Sequence, residues 1–340
     1  MLRLWRSEKR HLPLVIDATS LGNRWTIVAI SVVLRGCAIP VAWKVLPAEQ
    51  PGSWRPSWEG LLCELGKAVP PEWDVLVLAD RGLYARGLWD AIVAWGWHPF
   101  LRINVGSKAR VPGEENFAWI SRWVPTPGTR WQGKVECFAS KKGRVNGTLL
   151  MHWEPGYESA WIILTDLEPE EALVSWYGVR TWIEGGFKDF KRGLWGWQHS
   201  KMERASSVES LWLAMALAQL WCVSLGCQAE AEQEAKCLHH EPGASLPEQH
   251  IARRRRTRAV GQRSPRRLSC VVRGRLVLLA LQYQSEPFPM GILRAEPWPE
   301  TLTAPQKRPK PSAVKKKTQK EKERRKRQKR RVRERARAQG

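Results

Sequence analysis

Two apolar runs that each stop on an aspartate constrain this chain more than any other feature. Residues 12–20 read LPLVIDATS and residues 74–82 read DVLVLADRG. Short runs this rich in Val, Leu and Ile predict buried strands. The segment between them sharpens the reading. RWTIVAISVVLRGCAIPVAWKVLP (24–47) is β-branched and broken at Arg35-Gly36, which predicts a hairpin. Trp54, Trp58, Leu61, Leu62 and Leu65 then recur at helical spacing until Pro70-Pro71 stops them.

Beyond the second aspartate, GLWDAIVAWGW (87–97) predicts a helix and HPFLRINV (98–105) a strand. From 106 to 165 the pattern changes to short apolar pieces cut by Gly and Pro, of which VECFAS, GTLLMHW and SAWIILTD are the clearest strands. A helix is expected over 168–192, opened by the acidic run Glu168-Pro169-Glu170-Glu171. An apolar helix follows at 208–227, and a last helical stretch ends at residue 283. The order β-β-β-α-β-α-β, then a β-rich insertion, then helices resembles a ribonuclease-H-like α/β fold. The expected architecture is a mixed sheet flanked by helices, with the insertion lying before the helix expected at 168–192. The expected domains are 1–105 and 166–230 for the two parts of the core, 106–165 for the insertion, 231–306 for a basic helical region and 307–340 for a tail.

Charge is segregated along the chain. Residues 1–250 hold 27 Lys+Arg against 27 Asp+Glu, whereas residues 251–340 hold 29 against 6. A neutral body with a polycationic extension implies a polyanionic partner, nucleic acid before membrane. Residues 307–340, with 18 basic and 3 acidic side chains and almost nothing apolar, are expected to be disordered and to bind DNA or RNA without sequence preference.

Seven scattered cysteines without a CxxC exclude a disulfide framework or zinc ribbon and fit a reducing cytosol. Cys222, Cys227, Cys237, His239 and His240 match no standard metal-finger spacing and read as buried thiols and ordinary histidines. The N-terminus lacks the apolar core of a signal peptide. Ser210–Ala229 carries no charge and could span a bilayer by length. Acidic flanks and the polar Gln219 and Ser224 within it favour a helix buried in a globular domain, so no membrane partner is expected.

The chemistry is expected at Asp17 and Asp80. Strand ends in mixed sheets collect reacting groups, and paired carboxylates there suit a divalent cation whose shell a phosphate completes. A third acid comes from YGVRTWIEGGFKDFK (177–191). On a helix advancing about 100° per residue, Tyr177, Arg180, Glu184 and Lys191 share a stripe about 60° wide. The alternative is a solvent face carrying an ordinary Arg180–Glu184 pair. Gly185-Gly186 weakens the helix and counts against a purely structural row.

These residues resemble the DDE transposases of the insertion-sequence-4 family. The resemblance is carried by Val-Ile-Asp17-Ala-Thr, Leu-Ala-Asp80-Arg81-Gly82, and Tyr177-x2-Arg180-x3-Glu184-x6-Lys191, continued by GLWGWQHSKM (193–202). It implies two-metal phosphoryl transfer in which Asp17, Asp80 and Glu184 are the catalytic metal ligands. The ions would be two Mg²⁺, replaceable by Mn²⁺. Tyr177, Arg180 and Lys191 would grip DNA phosphates. It further implies nicking, hairpin formation at the element's end and strand transfer into target DNA, by a cytoplasmic protein that is a homodimer on DNA. Family members carry a helical end-recognition domain ahead of the first aspartate. Here 16 residues precede Asp17, so that domain is expected to be missing. The competing reading is a catalytically inactive remnant that binds nucleic acid through its basic region. Most of the 21 Trp are expected in the core, with Trp119, Trp123, Trp131 and Trp153 candidates for stacking on an extruded base.

Overall fold

The computed structural model describes residues 1–6, 10–49, 54–239, 268–295 and 298–302. The expected hairpin and its neighbour form an antiparallel meander of β1 (His11–Leu21), β2 (Trp25–Leu34) and β3 (Cys37–Pro47). Its β2–β3 turn places Arg35 and Gly36 at φ 49° and 77°. Arginine accepts this left-handed backbone because its side chain is buried against Glu230, Nε to Oε2 2.6 Å.

β4 (Asp74–Ala79) and β5 (His98–Arg102) add in parallel to β1, each reached through a helix, α1 (Arg55–Gly66) and α2 (Arg86–Val93). Residues 106–165 supply β6 (Lys108–Arg110), β7 (Ala118–Trp119), β8 (Arg130–Cys137), β9 (Val145–His152) and β10 (Trp161–Thr165). These strands extend the same sheet. β10 runs antiparallel beside β5, and the full order is β3-β2-β1-β4-β5-β10-β9-β8-β6-β7. The result is a mixed α/β architecture.

Each face of the sheet packs a separate core. Leu12, Leu14 and Ile16 of β1 and Val75, Val77 and Ala79 of β4 face α1 and α2, where Trp58, Leu62, Leu88 and Ile92 are buried. Val15, Leu76 and Leu78 point the other way, toward a 3₁₀ turn (Val174–Thr181), α3 (Trp182–Lys188) and the start of α4 (Ala205–His239). The helix expected from 168 thus begins at 174. Residues 168–171 instead close a turn in which the Glu171 carboxylate accepts the Glu168 N–H at 3.2 Å, and Leu173 is extended. An acidic run satisfies a turn's free N–H as readily as a helix's.

α4 is long and apolar enough to cross a membrane, yet 56% of its most apolar window is buried inside the fold. It packs on β3 and on α5 (Cys270–Tyr283), which is capped by the Ser269 hydroxyl accepting from the Val272 N–H. Cys227 and Cys270 meet there, Sγ to Sγ 3.5 Å. The side chains of Cys237, His239 and His240 lie outside the described residues, as does the 307–340 tail.

The last described segment crosses the base of the sheet. Trp298 makes edge-on contacts with Trp176 and His11, and the Ser175 hydroxyl donates to the Pro299 carbonyl at 2.5 Å. It flanks an open cleft of about 480 Å³ lined by His11, Asp74, His98, Glu171, Trp176 and Trp298, among others. His98 Nδ1 lies 3.2 Å from both Asp166 oxygens. That hydrogen bond and the charges of Asp166, Asp74 and Glu171 raise the His98 pKa above its ordinary value, against the opposing effect of burial. A raised folded-state pKa stabilises fully below the unfolded value, about 6.5, and the gain is lost as pH rises through the folded value. His152, lowered by burial and Arg130, contributes in the opposite sense. The difference between wild type and His98→Gln isolates the first group. Melts from about pH 6 to about pH 8 should show the wild-type advantage shrinking as pH rises, whereas a constant difference would show that His98 is not protonated in the fold.

Candidate active site

Strand alternation and register build the site. Asp17 follows Val15 and Asp80 follows Leu78 at a spacing of two, so both project toward the face covered by the 3₁₀ turn. Ile16 lies opposite Ala79 in the parallel β1–β4 pair, so the two aspartates sit side by side just past that pairing. Leu101 lies opposite Ala79 in the next pair, which sets Arg102 beside Asp80. Three neighbouring strands thus carry Asp, Asp and Arg in a row. Asp80 and Arg102 lie at strand ends, whereas Asp17, expected at one, lies within β1, which runs on to Leu21 because it stays paired with β2.

Tyr177 and Arg180 come from the 3₁₀ turn. Residues three apart eclipse in this geometry, so both still share one face, as the helical stripe required. Glu184 lies in the first turn of α3.

One guanidinium holds the group together. Arg180 Nη2 is 2.8 Å from Asp17 Oδ2 and 3.7 Å from Asp80 Oδ2, while Nη1 is 2.9 Å from Glu184 Oε1. The i, i+4 pair foreseen as a solvent-face alternative therefore exists, but on an arginine only 12% exposed that also reaches two strands. Asp17 also accepts the Ala18 N–H and Asp80 the Arg81 N–H, each at 2.8 Å. The buried Tyr177 hydroxyl donates to Asp80 at 3.3 Å, and Arg102 Nη1 stands 3.9 Å away.

Burial raises the Asp17 pKa above the usual carboxylate value, and Arg180 pulls it back only in part. Burial, reinforced by the Asp80 charge, raises the Tyr177 phenol, which therefore stays a hydrogen-bond donor. Arg180 is raised despite burial, by Tyr177 and the three carboxylates.

Lys191 falls in a π-helical turn (Asp189–Gly193), half-buried and paired with none of the three carboxylates among the described residues. Burial and the neighbouring Arg192 lower its pKa. Gly186 has a packing role that the helix-weakening argument missed. A Cβ there would lie 2.8 Å from that of Ala38, so the glycine lets α3 settle onto β3. Arg102 was also missed. Its position at the end of HPFLR was the available signal, but the register that aligns it with Asp80 is not written in so short a strand.

Of the tryptophan candidates, Trp123 and Trp131 stack on each other, centroids 4.4 Å apart. Trp153 Nε1 donates to the Tyr157 carbonyl. Trp119 is 55% exposed, with the Lys108 ammonium over its ring.

Three carboxylates and a phenol offer oxygen donors only, the chemistry hard divalent cations select. Among the described residues no three His, Cys, Asp or Glu side chains are grouped closely enough to hold a metal ion as they stand. The Arg180 guanidinium lies between the three carboxylates and supplies a positive charge there. As oxygen donors the three carboxylates suit a hard divalent ion, and Arg180 is the cation with which they pair in this structure.

Residues 59–221 match the family model of the transposase DDE domain. The matched span contains Asp80, Tyr177, Arg180, Glu184 and Lys191 and stops short of Asp17. None of the curated proteins compared with the chain matches it.

Proposed function

We propose that this protein is a DDE transposase that cuts and joins DNA by metal-dependent phosphoryl transfer. One observation carries the reading: Arg180 gathers Asp17, Asp80 and Glu184, residues far apart in sequence, at one end of the sheet. The transposase DDE match over most of this region supports it. The strand order β3-β2-β1-β4-β5 supports a ribonuclease-H-like core, formed by 1–105 and 166–230 and interrupted by 106–165. The regions 231–306 and 307–340 would be basic appendages to that core.

Asp17, Asp80 and Glu184 would hold two Mg²⁺ or Mn²⁺ ions. Such ions supply an activated water or 3′-hydroxyl and neutralise the leaving oxygen. The chain's own residues do the positioning. Tyr177 fixes the Asp80 carboxylate through its hydroxyl, and the Arg81 N–H fixes the same group from behind. We assign Tyr177, Arg180 and Lys191 to DNA phosphates and add Arg102, which stands beside Asp80. The reaction sequence we assign is nicking, hairpin formation at the element's end and strand transfer, by a homodimer on DNA in the cytoplasm.

The test is strand cleavage of DNA carrying the native element ends with Mg²⁺ or Mn²⁺. Cleavage at the ends that stops on chelation is the expected result. DNA binding without cleavage under either metal would support the non-enzymatic reading instead.

A further inference from the structure

Resting on that reading, we infer that Arg180 is a built-in counter-ion that couples metal binding to DNA binding, so that each ligand admits the other. Both Nη atoms of its guanidinium are committed to the three carboxylates, and Nε is shut off from solvent with no hydrogen-bond partner among the described residues. Without a cation, the three carboxylates would repel one another, Asp17 being largely shielded from water and Asp80 partly so. Arg180 offsets that repulsion. It does so by occupying Asp17 Oδ2 and Glu184 Oε1, oxygens that a divalent ion needs.

The same guanidinium is the group best suited to a phosphate, because its planar fork matches two phosphate oxygens. It cannot serve phosphate and carboxylates with the same donors. A DNA phosphate that draws Arg180 away leaves the carboxylates uncompensated and raises their affinity for a dication. A dication on the carboxylates repels Arg180 and leaves its donors to the phosphate.

The surroundings permit this exchange. Asp80 keeps Tyr177, the Arg81 N–H and Arg102 when Arg180 leaves, so it stays in position. Arg180 also sits where the 3₁₀ turn passes into α3, a junction of weaker hydrogen-bond geometry than an α-helix interior. Linkage makes the effect reciprocal. DNA must raise metal affinity by the factor by which metal raises DNA affinity.

The experiment is calorimetric titration of the full chain with Mn²⁺, alone and with a saturating short duplex, after subtraction of the DNA blank. Duplex affinity is measured in parallel with and without Mn²⁺ at constant ionic strength. Wild type should gain about tenfold in Mn²⁺ affinity with DNA, and the same factor in duplex affinity with Mn²⁺. Arg180→Gln should bind Mn²⁺ about tenfold more tightly than wild type without DNA and show no further gain on adding it. Arg180→Lys, which keeps the charge but loses the fork, should fall between. Should Arg180→Gln fail to fold in a melt, Arg180→Lys decides: Mn²⁺ affinity without DNA equal to that of wild type overturns the inference. Equal Mn²⁺ affinity of wild type with and without DNA overturns the coupling. So does an Arg180→Gln protein that binds Mn²⁺ no more tightly than wild type. Asp17→Asn and Glu184→Gln separate the two levels. If they weaken Mn²⁺ binding while the coupling is absent, only this inference falls. If they leave Mn²⁺ affinity unchanged, the metal-dependent reading itself falls.

Discussion

Asp80→Asn abolishes DNA cleavage without weakening DNA binding measured in the absence of divalent ions; Asp17→Asn and Glu184→Gln do the same. An amide keeps the shape of the side chain and its hydrogen bond from the adjacent N–H, as at Asp80 and Arg81. What it loses is the negative charge that an oxygen-seeking dication requires. A fall of at least about three orders of magnitude in cleavage rate, about 4 kcal/mol of barrier, is expected for each. Affinity should hold because it comes mainly from phosphate contacts by cations elsewhere. Single-turnover cleavage beside a binding isotherm checks both halves. An amide variant that cleaves within a few-fold of wild type removes that residue from the chemistry.

The largest effect on stability is expected where α4 and α5 touch. A Cβ at Gly274 would lie 1.7 Å from the Cys222 carbonyl oxygen and 2.9 Å from the Gly226 nitrogen. A Cβ at Gly226 would lie 2.0 Å from the Cys270 carbonyl oxygen. These obstacles are backbone atoms inside two helices, so no side chain can move aside. Gly274→Leu must separate the helices and open the cluster of Cys222, Val223, Cys227, Cys270 and Val271. Overpacking of this kind costs at least about 3 kcal/mol here, a fall of about 6–12 °C in melting temperature. Gly60, in α1, gives the opposite sign, because nothing lies within 4 Å of its virtual Cβ. Gly60→Ala should stabilise by about 0.5–1 kcal/mol. Thermal melts of the two variants read both effects, and a Gly274→Leu protein that melts with wild type would contradict the packing.

The parts of this molecule that were legible in sequence are those set by local pattern. LPLVID and VLVLAD are strands because nothing polar interrupts them, and their period of two fixes the face to which Asp17 and Asp80 turn. Tyr177, Arg180 and Glu184 were legible as one row, and remain one row although a 3₁₀ turn replaces the expected α-helix. What pattern could not give was relationship between segments. Arg102 joins the site through strand register, and a five-residue strand does not encode its register. Cys270 meets Cys227 through the docking of two helices. The strands of 106–165 were visible, but not that they would pair onto β5 and continue its sheet. The position of Arg180 among the carboxylates was also hidden, because charge alone does not say whether a cation faces DNA or faces its own acids.

Where a divalent ion sits separates metal-dependent cleavage from DNA binding alone. Crystals of the protein with DNA and Mn²⁺ would locate the metal by its anomalous scattering. Mn²⁺ peaks are expected bonded to carboxylate oxygens of Asp17, Asp80 and Glu184, two of them about 3.5–4 Å apart, with Arg180 turned from these oxygens to a phosphate. Mn²⁺ bound elsewhere, with Arg180 still bridging the three carboxylates beside bound DNA, would remove the three acids from the metal site.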